Sequence, residues 1–154
     1  MAGVIEERLA ELGVSLPEAA PPAAAYVSFV RSGDLLFTAG QLPFAGGKLF
    51  ATGLVGRDVD VATATEAARY CAINIMAQVK AATGDLERIA RLVKLTAFVA
   101  SAPGFTEQHI VANGASEFLA SVLGERGRHA RSAVGTASLP LNASVEIEAI
   151  VELA

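Results

Sequence analysis

Apolar residues recur every three or four positions in three segments of the chain, which is the period of a helix packed on one side. The segments run from Val4 to Leu12, from Asp60 to about Thr83, and from about Thr106 to Leu123. Glycines follow at positions 13, 84 and 124, where a left-handed residue commonly ends a helix. The sequence therefore predicts one short helix and two long ones.

Alternating or continuous apolar runs predict strands in the intervening segments. They cover Tyr26 to Arg31, Leu35 to Ala39, Leu92 to Ala100, Arg131 to Ala137 and Ser144 to Leu153. The first two flank Ser32-Gly33-Asp34 and form a hairpin. The order is a hairpin, then α, β, α, β, β after an initial helix. This order predicts an α+β fold, with a mixed sheet and both long helices on one face, because crossovers then stay right-handed.

The sheet carries apolar residues on both faces, although the helices cover only one. In the final strand, Val145, Ile147, Ala149, Val151 and Leu153 alternate with Glu146, Glu148, Ile150 and Glu152. The first hairpin has Val27 and Phe29 on one side and Tyr26 and Val30 on the other. A lone subunit would leave part of this surface in water, so we expect an oligomer built through the sheet.

Length and charge narrow the class of protein. The 154 residues fit a single domain, with an N-terminal helix and alanine-proline connector over 1–25 and the main domain over 26–154. Twelve basic and sixteen acidic residues give a net charge of −4, which argues against a nucleic-acid partner. No export signal or long apolar run is present, so we expect a cytoplasmic protein with no membrane partner.

The cysteine and the histidines predict no metal site or cofactor. Cys71 lies on the apolar stripe of the longest helix, so it belongs to the core rather than to a catalytic centre. Together with His109 and His129 it has no metal-ligand spacing. His129 is either an acid-base group beside Arg131 or a solvated loop histidine.

Arg131 is the main candidate for binding chemistry. It opens an otherwise uncharged strand beside a strand that carries glutamates. A guanidinium in this position would hold a substrate carboxylate through two parallel hydrogen bonds. The alternative is a surface ion pair with Glu146 or Glu148.

Several motifs resemble those of the Rid family, the YjgF proteins, which are also called endoribonuclease L-PSP. The C-terminal motifs are Arg131-Ser132-Ala133-Val134, Leu139-Pro140 and Val145-Glu146-Ile147-Glu148-Ala149-Ile150. Ala25-Tyr26-Val27 resembles the start of the family's first hairpin, and Thr38-Ala39-Gly40-Gln41-Leu42-Pro43 resembles its "SGQ-P" turn. The resemblance covers about Tyr26 to Leu153, in the element order predicted above.

The resemblance implies a chorismate-mutase-like fold and a homotrimer with a central barrel and three clefts between subunits. Deaminases of the family hydrolyse enamines and imines derived from amino acids to 2-keto acids and ammonia, without metal or cofactor. On this chain, Arg131 would hold the substrate carboxylate and Glu146 would position the attacking water. Tyr26, Gly40, Asn113 and Ala133 would line the pocket.

Departures from the family pattern leave three functions open. Many deaminases have a proline close before the arginine, an aromatic residue where Ser116 lies, and a serine where Ala39 lies. We expect an imine or enamine deaminase of broad substrate range. The alternative is a non-catalytic or chaperone-like trimer that binds small carboxylates. A ribonuclease is the least favoured because of the net negative charge.

Overall fold

The structure is a computed structural model, and it describes residues 2–154. The helices are α1 (Val4–Glu11), α2 (Val61–Thr83) and α3 (Gln108–Leu123). The strands are β1 (Phe29–Ser32), β2 (Leu35–Thr38), β3 (Phe44–Ala45), β4 (Lys48–Leu49), β5 (Ile89–Ala100), β6 (Ala130–Thr136) and β7 (Val145–Leu153). Short 3-10 turns lie at Leu86–Arg88, Gly124–Gly127 and Pro140–Asn142.

The main sheet has the strand order β1-β2-β7-β5-β6. Its pairs are antiparallel, except that β5 and β6 run parallel and are joined through α3. Helices α2 and α3 pack against each other, and they contact β7, β5 and β6. This arrangement confirms the predicted α+β fold with a mixed sheet.

The turns that the sequence predicts have the expected backbone conformations. Gly33, at φ +59°, lies in the tight turn between β1 and β2. Helix α2 begins after Asp60, whose side chain accepts a hydrogen bond from the Thr63 backbone N–H at 2.7 Å. It ends at Gly84, which is left-handed. These residues fix where the hairpin and the longest helix begin and end.

The helix-covered face of β7 is buried at every odd position from Val145 to Leu153, with at most 3% exposure. Helix α2 is buried on all sides between Cys71 and Val79, more than its single apolar stripe predicts. The β3 region and the connector also cover part of α2. Asn74 and Gln78 donate hydrogen bonds to backbone carbonyls of these two segments. The buried Cys71 confirms its place in the core.

Helix α1 joins the same core as the rest of the chain. Ile5 and Leu9 are buried in the main hydrophobic cluster. Arg8 donates to the Val122 carbonyl at 3.2 Å, and the Ile5 N–H donates to Glu87 Oε1 at 2.7 Å. The N-terminal helix is therefore held by both apolar packing and hydrogen bonds.

The first strand is shorter than predicted, because it begins at Phe29 and not at Tyr26. Phe29 pairs with Thr38, the last residue of β2. After Thr38 the chain leaves β1, and Gln41 pairs with Ile147 of β7 instead. Tyr26 therefore has no strand partner and lies in the segment that leads into the sheet.

The opposite face of the sheet, called here the outer face, exposes several large apolar side chains. Val30, Phe37 and Val134 have exposed fractions of 53%, 40% and 45%. Among residues 2–154, no helix has the length and apolar character needed to cross a membrane.

Candidate functional site

The Arg131 guanidinium lies against α3 on the helix-covered side of the sheet. Its Nη1 donates to Asn113 Oδ1 at 2.9 Å and to Ser116 Oγ at 3.1 Å, and its Nη2 donates to the His109 carbonyl at 3.0 Å. These three acceptors follow one another at positions i, i+4 and i+7, on one face of the helix. The alternative of a surface ion pair with Glu146 or Glu148 is therefore wrong for this chain.

Arg131 keeps part of its hydrogen-bonding capacity free. A guanidinium has five N–H groups, and the contacts with α3 use three of them. The Nε–H and one Nη2 hydrogen donate to no acceptor within residues 2–154. Nε and Nη2 share one edge of the guanidinium, which is the geometry that binds a carboxylate through two hydrogen bonds.

Ser116 connects Arg131 to His129. His129 Nδ1 lies 2.7 Å from the Gly127 carbonyl oxygen, which only accepts, so Nδ1 carries the hydrogen. In the neutral ring Nε2 is then an acceptor, and the Ser116 hydroxyl, 2.9 Å away, donates to it. His129 is thus held on both ring nitrogens and is not a freely solvated loop residue.

An open cavity of about 390 Å³ adjoins these side chains. It is lined by Ser116, Glu117, Ala120, Gly127, Arg128, His129 and Arg131. Ala133 follows Arg131 by two residues on β6, so both side chains belong to the same face of the sheet. We call Asn113, Ser116, His129, Arg131 and Ala133 the Arg131 cluster.

Glu146 lies on the outer face of β7 and packs against Gly40. A Cβ built on Gly40 would lie 2.1 Å from Glu146 Oε1, so only glycine allows this approach. Burial raises the pKa of Glu146, and the neighbouring Glu148 raises it further. Within one chain, burial and a like charge therefore act on Glu146, and no arginine lowers its pKa.

Tyr26 and Gly40 line a second cavity, between residues 17–23 and the end of β2. Tyr26 is 48% exposed, and its hydroxyl accepts a hydrogen bond from the Ala23 N–H at 3.2 Å. We call Tyr26, Gly40 and Glu146 the Gly40 cluster.

The single chain does not bring the two clusters together. Arg131 is paired in register with Leu95, and Glu146 with Phe98, three positions further along β5. Because side chains alternate along a strand, Arg131 and Glu146 point to opposite faces of the sheet. The six predicted site residues therefore form two half-sites, one of Arg131, Asn113 and Ala133, and one of Tyr26, Gly40 and Glu146.

The contact between Ser116 and Arg131 is not predicted from the sequence, in which Ser116 stands out only as a departure from the family pattern, where an aromatic residue is common. The spacing of 109, 113 and 116 on one helix face is the signal that could have found it.

Comparison with known proteins places the chain in a family. Residues 6–153 match the family described as "YjgF/chorismate_mutase-like, putative endoribonuclease". The chain is 51% identical to Protein TCP17 of Trypanosoma cruzi over 154 residues, which is 98% of this chain and 95% of that protein. It belongs to the YjgF/chorismate-mutase-like family, as its C-terminal motifs predict.

Solved structures give the same assignment. The Agrobacterium tumefaciens protein Atu1372, described as having unknown function, is 64% identical with a TM-score of 0.92, covering 98% of this chain and 93% of its own. Escherichia coli TdcF with bound serine is 27% identical with a TM-score of 0.65, covering 89% of this chain and 94% of its own.

Proposed function

We propose that this protein hydrolyses small, carboxylate-bearing imines or enamines to 2-keto acids and ammonia, in clefts between the subunits of a homotrimer. The observation that carries the proposal is that the Arg131 guanidinium keeps its Nε–H and one Nη2 hydrogen free of acceptors within residues 2–154, while α3 holds it beside an open cavity. The TdcF structure contains serine, a small molecule with a carboxylate and an amino nitrogen. That ligand is consistent with a carboxylate anchor in the family.

The strand order supports an assembly that joins the half-sites. Arg131 lies on β6, at one edge of the sheet, and Tyr26 precedes β1, at the other edge. In a cyclic, head-to-tail trimer the β6 edge of one copy faces the β1 edge of the next. The Arg131 cluster of one subunit then meets the Gly40 cluster of its neighbour, and the exposed Val30, Phe37 and Val134 become covered.

The proposed reaction needs an anchor and a positioned water. Arg131 binds the substrate carboxylate and so fixes the imine carbon in the cleft. Glu146 of the neighbouring subunit accepts a proton from water as the water oxygen attacks that carbon; the electrons of the C=N double bond move to nitrogen, which takes this proton from Glu146. Glu146 then accepts the hydroxyl proton of the adduct and passes it to the amino nitrogen, the carbon–nitrogen bond breaks, ammonia leaves, and the carbon–oxygen bond becomes a carbonyl.

The environment of Glu146 suits this exchange of protons. A carboxyl group with a raised pKa gives up and accepts a proton closer to neutral pH than an ordinary glutamate does. An imine carbon is already electrophilic, so the reaction requires no activated nucleophile. A trimer that binds small carboxylates without hydrolysing them uses the same Arg131 edge, and turnover separates the two functions.

The test generates iminoacids in place with an amino-acid oxidase and follows their breakdown. Wild-type protein should accelerate it, and Arg131→Ala should remove the acceleration and weaken 2-keto acid binding by about 2–5 kcal/mol. Arg131→Lys should restore little, because an ammonium cannot form the bidentate bond. Arg88→Ala is the control, since within residues 2–154 the Arg88 side chain donates only to the Ala154 main-chain oxygen, away from both clusters.

Two results would contradict the proposal. One is wild-type protein that accelerates no iminoacid, whether small, aliphatic, aromatic or basic, while it still binds 2-keto acids. This result would favour the non-catalytic trimer. The other is Arg131→Ala protein that unfolds at assay temperature yet binds ligand normally below it, which would make Arg131 a structural residue.

A further inference from the structure

The N-terminal connector forms one wall of a cavity of about 480 Å³. This volume lies within the range of small-molecule sites, which are mostly apolar with a few polar groups. The lining includes Glu18, Ala20 and Ala23 of the connector and Tyr26, Gly40 and Asn74 beyond it. Most of the lining side chains are apolar, and Glu18 supplies the carboxyl group among them.

Buried polar side chains hold the connector in place. The Ala20 carbonyl accepts a hydrogen bond from Gln78 Nε2 at 2.9 Å and a longer one from Ser28 Oγ at 3.4 Å. Gln78 is 1% exposed, and its Nε2 also donates to Gln41 Oε1 at 3.3 Å. A buried glutamine whose bonds end on the connector fixes that wall in the free protein.

Asn74 leaves an unpaired acceptor at this cavity. It is 8% exposed, and its amide nitrogen donates to the Leu42 carbonyl at 2.9 Å and to the Phe44 carbonyl at 3.1 Å. Its Oδ1 receives no hydrogen bond from the part of the chain that the structure describes. This oxygen is not fully enclosed by the described residues, so it can accept a hydrogen bond from a water or a ligand in the cavity.

Gly40 joins the cavity to the proposed reacting centre. Its backbone lines the cavity, and it also contacts the carboxylate of Glu146. A substrate held with its imine carbon at Glu146 therefore has this cavity next to it. Tyr26 adds a hydroxyl group at the same boundary.

We propose that this cavity binds the side chain of the substrate, and that it selects iminoacids with large apolar side chains over small ones. The inference rests on the proposed function for the position of the substrate. It narrows the broad substrate range that the sequence predicts. The connector is then a specificity element, within the residues 6–153 that match the family.

Stable 2-keto acids test the pocket separately from turnover. Calorimetric titration compares pyruvate, which has a methyl side chain, with 4-methyl-2-oxopentanoate, which has an isobutyl group. Wild-type protein should bind the larger acid at least about tenfold more tightly, since each buried methylene adds affinity. The same preference should appear in kcat/KM for iminoacids made from alanine and from leucine.

Adjacent alanines of the connector provide a matched pair of variants. Ala23 lines the cavity and Ala24 does not. Ala23→Leu should reduce affinity for the isobutyl acid about tenfold and leave pyruvate binding unchanged. Ala24→Leu should change neither affinity. Both residues are exposed, so neither substitution should unfold the protein.

The outcomes distinguish this proposal from the proposed function. Binding of both acids within threefold of each other in wild-type protein, or an equal effect of Ala23→Leu on both, would overturn the side-chain pocket even if imines are hydrolysed. A clear isobutyl preference that Ala23→Leu removes, without any hydrolysis, would support the pocket and refute the deaminase.

Discussion

The two faces of the main sheet have different roles: one face forms the core of the chain, and the other is exposed in the single chain. On the helix-covered face, the odd positions of β7 are apolar without exception and at most 3% exposed. On the outer face, the same strand carries Glu146, Glu148 and Glu152, while Phe37 on β2 is 40% exposed. The covered face holds one chain together, whereas no helix packs on the outer face within residues 2–154. The fold is therefore complete in one chain, but the proposed site needs a second chain.

The largest expected effect comes from the covered face. Ile147 is fully buried, so Ile147→Ala should lower the free energy of unfolding by about 2–5 kcal/mol through lost burial and a cavity. Ile150, on the same strand but facing outward, is the matched control, and Ile150→Ala should cost the single chain less. Urea unfolding of chains kept apart by the outer-face substitution Phe37→Lys measures both. Equal losses would contradict the distinction between the faces.

The next effect concerns assembly. Phe37→Lys places a charge on the outer face, where the proposed trimer buries it, so the subunits should separate while helix content stays unchanged. Light scattering coupled to size exclusion, with circular dichroism, measures both properties. Wild-type protein that is monomeric at micromolar concentration, or a Phe37→Lys variant that remains trimeric, would refute the proposed assembly.

A smaller effect is expected at the contact between Gly40 and Glu146. Gly40→Ala introduces a Cβ that overlaps the Glu146 carboxylate, so it should lower the melting temperature and displace that side chain. Adding Glu146→Ala removes the overlapping atoms and should recover most of the loss. Additive effects of the two substitutions would show that the side chains do not interact.

The smallest effect is the pH dependence of Glu146 in the single chain. The pKa of Glu146 is raised in the folded state, so the folded chain holds this proton more tightly than the unfolded chain does. The free energy of unfolding therefore falls as pH rises from the ordinary glutamate pKa, about 4.3, through the folded-state pKa. In the dissociated Phe37→Lys background, Glu146→Gln should therefore raise the melting temperature at pH 7 and have no effect near pH 3.5. A gain that is the same at both pH values would contradict this cause.

Local patterns predict the fold but only part of the site. Asp60 and Gly84 bound the longest helix because capping depends on adjacent residues, and the odd positions of β7 alternate because strand geometry does. The hydrogen bonds of Arg131 to Asn113 and Ser116 depend on how α3 packs against β6, which no local pattern specifies. The connector packs on α2 through contacts between residues far apart in the sequence, such as Gln78 and Ala20, so local patterns do not predict this packing either.

Mixed trimers test the central claim, that Arg131 of one subunit and Glu146 of the next share one site. Arg131→Ala and Glu146→Gln chains are co-expressed in equal amounts, and iminoacid hydrolysis is measured against each variant alone. In a cyclic assembly, about one quarter of the clefts then contain both native side chains, so about one quarter of wild-type activity should return. Activity that stays at the level of the single variants would place both residues in the same subunit's site and contradict the account.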